Sequence, residues 1–448
     1  MSRVVITDLD VLVTVDDDNR IRHGITVTIE DGIIVAIDPN GANSSPPHGD
    51  SNPDADVTVI DGRGKLALPG LVNLHTHLPM TLLRGIAENV DLQGFLQIVW
   101  AAEGAIMDPD TVRLGATLGA LESLLGGCTT QLDMYFHHEA AHVGALAAGS
   151  RHVGGPVLFE GPGPDGLTWD ERVAGLRAWP LRVSELGGPA VPVAAMPHST
   201  YTVIPEHLRE IHETVAGWPA DTRSLLHTHA SENAAENADT LDRYGATPVA
   251  ILDAAGWFAP GAPPVVLGHG VHLDATDRAR LAPHVSIAHC PGSNSKLASG
   301  ALDWRAFTGD GIRVGIGTDG CSSSNDLDMW QAMRQAALLA RLVSGDPTAA
   351  PAVDILRAAT IEGARALGIA DLVGSIEVGK RADIVLVDLE QPHLTPSHDV
   401  PALLVFAAGR GDVTDVLVDG EAVVRHRRST RLDQSELLAD CRRRVAVL

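Results

Sequence analysis

The sequence predicts an α/β protein, a (β/α)8 barrel of the TIM type with a small β-sandwich domain formed from both chain ends. Three observations carry this. Short apolar runs between Leu71 and Gly317 read as eight strands, and helical patterns separate many of them. Such alternation implies parallel pairing, and eight units suffice to close a barrel. Both chain ends instead alternate β-branched runs with polar turns, and the count of eight units favours closure over the runner-up, an open doubly wound sheet. At 448 residues the chain exceeds what one core usually supports. The expected division is 1–65 and 375–448 for the sandwich and 66–374 for the barrel.

Taken in order, VVITDLDVLVTV, ITVTIEDGIIVAI and VTVIDGRG read as strands of the small sheet. Between them, residues 39–54 are dense in Pro, Gly, Asn and Ser and read as an exposed, mobile loop. The barrel strands are expected at Leu71–His75, Thr129–Met134, Pro156–Glu160, Val191–Met196, Ser224–Thr228, Val265–Gly268, Val285–His289 and Ile312–Gly317. Asp108-Pro109 supplies an N-cap followed by proline at the first helical position, and Gly126-Gly127 a stop. Thr247-Pro248 opens another helix that Gly256 closes. After Ser375 the short strands return in GSIEVGKRADIVLVDLE and DVTDVLVDGEAVV, so the tail resembles the head.

Composition narrows the function classes. Acidic residues number 57 against 33 basic, a formal charge of −24, which gives counterion release the wrong sign for nucleic acid or an anionic membrane. No apolar run reaches the roughly eighteen residues of a membrane span, and the N-terminus lacks the pattern of a signal peptide. Cys128, Cys290, Cys321 and Cys441 lack CxxC spacing, so free thiols in a reducing cytoplasm are expected.

Polar residues able to bind metal or move protons recur at strand ends, which share one face of a barrel. His75 and His77 in LVNLHTHL sit two apart, so both imidazoles leave the strand on one side, as half of a tetrahedral site or part of a five-coordinate one requires. SLLHTHASEN offers a second pair, in which His229 lies nearer the mouth and His227 is expected to pack behind it. Glu232 follows three residues after His229, one turn away on the same face if a helix begins there. His269 follows the sixth strand, and Asp319 ends the eighth between glycines. A second metal bridged by a carbamylated lysine needs a lysine at the fourth strand end. Lys65, Lys296 and Lys380 lie elsewhere, so one divalent ion is expected.

PGLVNLHTH, HASE, LGHGVHL and GTDG together resemble the amidohydrolase superfamily, in order and over nearly the whole chain. HLPMTLLRGIAENVDLQGFLQIVWAAE, MPHSTYTVIPEHL and AHCPGSNSKLASG are most similar to its cytosine-deaminase-related branch, and there to S-adenosylhomocysteine and methylthioadenosine deaminases. The resemblance implies that His75, His77, His229 and Asp319 bind one ion, Zn2+ before Fe2+. Glu232 would shuttle protons and His269 would hydrogen-bond the attacking water. Glu103, Trp100 and His198 would contact a nucleoside substrate, Glu103 through the ribose hydroxyls. It further implies a homo-oligomer. The stretch 159–190 and the WAAE motif depart from the usual pattern, and these segments shape the pocket. The alternatives are a triazine hydrolase and a guanine- or pterin-type deaminase. A non-catalytic barrel scaffold is opposed by the complete ligand set and Glu232.

Overall fold

Alternating side chains and β-branched residues make the short runs strands, and the connections between them decide how they pair. In the computed structural model, which describes residues 2–41, 57–446 and 448, eight parallel strands close a barrel. Most of the loop expected at 39–54 lies outside the described residues. The strands are Leu71–His77, Cys128–Asp133, Arg151–Gly154 continued by Val157–Leu158, Val193–Pro197, Ser224–Ala230, Val265–His269, Val285–His289, and Arg313–Ile316 continued by Asp319–Gly320.

Two of these strands are split. The third begins at Arg151, five residues before the expected start at Pro156. Its first half pairs with the second strand and its second half with the fourth. Pro156 between the halves has no N–H for a ladder. At Gly155 a Cβ would stand 1.8 Å from the Ala194 carbonyl oxygen, so only glycine lets the neighbouring backbone approach. The first half was hidden because Arg151 and His152 are polar. Both are buried, Arg151 bonded to Asp383 and His152 to Asp133. The eighth strand pairs with the seventh through Arg313–Ile316 and with the first through Asp319–Gly320, which closes the ring.

Helices flank the strands where capping chemistry starts and stops them. The helix Pro109–Leu125 begins at Asp108, whose carboxylate accepts the Thr111 N–H, and ends at Gly126. Leu74, Leu132, Val153, Met196, Leu225 and Val266 bring the first six strands into one apolar cluster.

The remaining strands form one mixed sheet of nine from both chain ends. Lys65–Pro69 is its seam, parallel to Arg3–Val13 on one side and antiparallel to Ile384–Asp388 on the other. Ile6, Leu12, Val27, Ile34, Ile384 and Leu417 share its core. The sheet curls until Gly32 meets Gly420, where a Cβ would stand 2.4 Å from the Gly32 Cα. Among the described residues no helix is long and apolar enough to cross a membrane.

Candidate metal centre and substrate pocket

Strand alternation turns His75 and His77 to one side of the first strand, and barrel closure brings the fifth, sixth and eighth strand ends to meet them. The ligand atoms of His75, His77 and His229 lie within 4.8 Å of one another, as do those of His75, His269 and Asp319. Asp319 Oδ1 stands 3.1 Å from His77 Nε2 and 3.4 Å from His75 Nε2, and His229 Nε2 is 3.4 Å from His77 Nε2. Asn73 locks the first strand to the eighth, donating to Thr318 Oγ1 and accepting from the Thr318 N–H. Ser323 Oγ donates to Asp319 Oδ2 at 2.9 Å, leaving Oδ1 for the histidines.

The partners of the outer nitrogens fix the imidazole tautomers. His77 Nδ1–H donates to the Met134 carbonyl and His229 Nδ1–H to the His198 carbonyl, each at 2.6 Å. His227 Nδ1 faces the Val266 carbonyl at 2.8 Å and so carries its proton there. Its Nε2 therefore accepts from His75 Nδ1–H, also at 2.8 Å. His269 Nδ1–H donates to Asn294 Oδ1 at 2.9 Å. Each ring is held so that Nε2 offers a lone pair inward, the arrangement that outer partners impose on metal-binding histidines. His75 Nε2 is buried without a hydrogen-bond partner, as a ligand awaiting a cation would be.

Electrostatics agree with that fit. Burial pulls His75 down to about 4 despite Asp319. Burial acts in the same direction on His77, but the Asp319 hydrogen bond and charge win and lift it to about 9. Asp319 itself stays well below the carboxylate range: burial would raise it, and the two histidines outweigh burial. A cation bound among these groups would replace the His77 proton.

Around this centre lies one pocket, lined by His77, His229, Glu232, His269 and Asp319 and by Trp100, Glu103 and His198. His75 sits behind it, fully buried. The structure thus brings every candidate residue to a single place. Glu232 is 3% exposed, its Oε1 unpartnered and its Oε2 3.7 Å from His269 Nε2. Burial raises its pKa against the pull of His269. Glu103 accepts from the Tyr135 hydroxyl at 2.6 Å, and burial lifts its carboxyl to about 7 against that bond. Trp100 packs edge-on to Phe159 and His198, and burial pulls His198 down to about 3, so it is neutral.

Sequence reasoning missed Tyr135, Asn294 and Ser323 as partners of the site. Tyr135 stands just past the second strand end, a position that could have marked it; Asn294 lies on the short helix Pro291–Lys296 after the seventh strand, and Ser323 in a polar turn with no distinguishing local pattern.

Residues 66–423 match the model of the amidohydrolase family. A 5-methylthioadenosine/S-adenosylhomocysteine deaminase of Moorella thermoacetica is 40% identical over 87% of this chain and 88% of its own. A 5′-deoxyadenosine deaminase of Methanosarcina mazei is 35% identical over 99% and 98%. Among solved structures, an adenosine deaminase of Xanthomonas campestris with bound zinc superposes with a TM-score of 0.88 at 34% identity, covering 100% of this chain and 99% of that one. On the family match and these identities, carried by nearly the full chain, this protein belongs to the amidohydrolase family.

Proposed function

We propose that the chain is a hydrolytic deaminase of adenosine-type nucleosides that works with one divalent ion, zinc before iron. One observation carries this. His75, His77, His229 and Asp319 converge beside a buried Glu232 whose Oε1 has no partner, in a pocket that also presents Glu103. The relatives named for methylthioadenosine, S-adenosylhomocysteine, 5′-deoxyadenosine and adenosine support the substrate class.

The three histidines and Asp319 would hold the ion, a donor set that suits zinc and iron(II) alike. When bound, it supplies Lewis-acid activation of a water molecule. His269 Nε2 hydrogen-bonds that water and orients it toward the ring. Glu232 Oε1 takes a proton from the water and passes it to the adjacent ring nitrogen, making the amine-bearing carbon electrophilic. The water oxygen bonds to that carbon, its remaining proton passes through Glu232 from the new hydroxyl to the amine, the C–N bond breaks, and ammonia leaves. A keto heterocycle remains. Glu103 holds the ribose hydroxyls, while Trp100 and His198 bound the ligand with apolar edges and one neutral imidazole. The same reading makes the enzyme a cytoplasmic homo-oligomer acting on small molecules; four buried free cysteines support the reducing compartment.

The test is metal analysis and an ammonia-release panel on one preparation. Roughly one zinc equivalent per chain is expected, with turnover of adenosines. Activity confined to triazines, guanine or pterins would overturn the nucleoside assignment. Glu232→Gln should lose about 10²–10⁴ in kcat while keeping its metal.

A further inference from the structure

Adenosine-type nucleosides share a base and a ribose and differ at the 5′ carbon. The tail there is a hydrogen, a hydroxyl or a methylthio group, or in S-adenosylhomocysteine an amino-acid zwitterion. The helix Leu92–Ile106 presents carbon to the pocket. Reading back from Glu103 at one-turn spacing, the pocket face of this helix carries Val99 and Trp100, then Phe95 and Leu96, then Leu92. A ribose held at Glu103 therefore has an apolar track of nearly three turns beside it.

The ionisable groups on the pocket wall are carboxylates, imidazoles and the phenols of Tyr135 and Tyr201, with no lysine or arginine among the described residues. Cations near the mouth are already engaged. Arg172 lies over Phe136, 2% exposed, bonded to both Asp165 oxygens and the Val157 carbonyl. Lys296, beside the pocket residue Leu297, is held by Asn325 and Glu88. Arg243 pairs with Asp239.

We propose that this site selects adenosines with a compact, uncharged 5′ substituent, the 5′-deoxy and methylthio class, and discriminates against S-adenosylhomocysteine. The Leu92–Leu96–Val99 track is the specificity-determining wall. An amino-acid carboxylate laid along it loses its water and gains no cation, whereas a methylthio group gains contacts. The inference rests on the deaminase reading above.

Steady-state kinetics of the intact chain on three nucleosides tests it. kcat/KM for 5′-methylthioadenosine and 5′-deoxyadenosine should exceed that for S-adenosylhomocysteine by about tenfold or more. Leu96→Arg, at a half-buried position where the guanidinium can reach solvent, should narrow that ratio, and the uncharged Leu96→Gln should not. Where Leu96→Arg fails to fold, the wild-type ratio decides. S-adenosylhomocysteine used equally well or better overturns the selectivity and leaves the deaminase reading standing. Turnover of none of the three, nor of adenosine run beside them, overturns both.

Discussion

His227 lines no part of the pocket, yet it sets which nitrogen of His75 the pocket receives. Because its own Nδ1–H is held by the Val266 carbonyl, it can only accept from His75, and the His75 lone pair must point inward. His227→Phe, which keeps a ring and removes the acceptor, should weaken metal affinity about 10–100-fold. Competition with a chromophoric chelator measures this, and unchanged affinity would remove His227 from the arrangement. A second residue-scale effect concerns Glu103. Burial raises its carboxyl to about 7, so it is a carboxylate above that pH and holds a proton below it. A carboxylate is the better acceptor for a ribose diol. KM for nucleosides should therefore rise as pH falls through about 7, with kcat changing less. Glu103→Gln should show a high KM without that limb; a limb that persists in the variant assigns the titration to another group.

Elements place these residues through close backbone approaches. Where the eighth strand crosses to the first, a Cβ on Gly317 would stand 2.9 Å from Cys290 Sγ, 3.0 Å from the His75 carbonyl oxygen and 3.1 Å from His75 Cβ. The missing side chain is what lets His75 and Asp319 face one centre. Just beyond it, Asp319 adopts φ of 61°, and His269 at the sixth strand end adopts 68°. Left-handed backbone at a residue other than glycine costs of order 1–3 kcal/mol and is found where function demands it. Gly317→Ala should therefore lower metal content and thermal stability together. Metal analysis and a melting curve check this, and full occupancy with an unshifted melt would show that His75 tolerates the displacement.

Across the whole molecule, the barrel and the curled sheet are tied by one buried charge network. Arg151, fully buried at the start of the third strand, donates to both Asp383 oxygens at 3.0 and 2.8 Å and to the Ala190 carbonyl at 2.8 Å. Asp383 also accepts the Asp419 N–H, so one carboxylate joins the barrel to two segments of the sheet. Arg151→Ala leaves that carboxylate unpaired and should cost about 3–5 kcal/mol in denaturant unfolding. Removing Asp383 as well should recover part of it, and a loss under about 1 kcal/mol would mean the two parts are held by packing alone.

The sequence by itself determined the (β/α)8 barrel, the sheet shared by the chain ends and the capped helices. These depend on periods of two and 3.6 and on cap chemistry, which act over a few residues. It also placed the HxH pairs and Glu232 near strand ends, because alternation puts i and i+2 on one side wherever the strand runs. Tertiary structure decided the rest. The polar start of the third strand became legible only once Asp383 and Asp133 stood opposite Arg151 and His152. Which tautomer each ring holds and how far burial raises Glu103 and Glu232 depend on groups distant in the chain. Ring closure alone brings them together, and desolvation and hydrogen bonding act only once they have met.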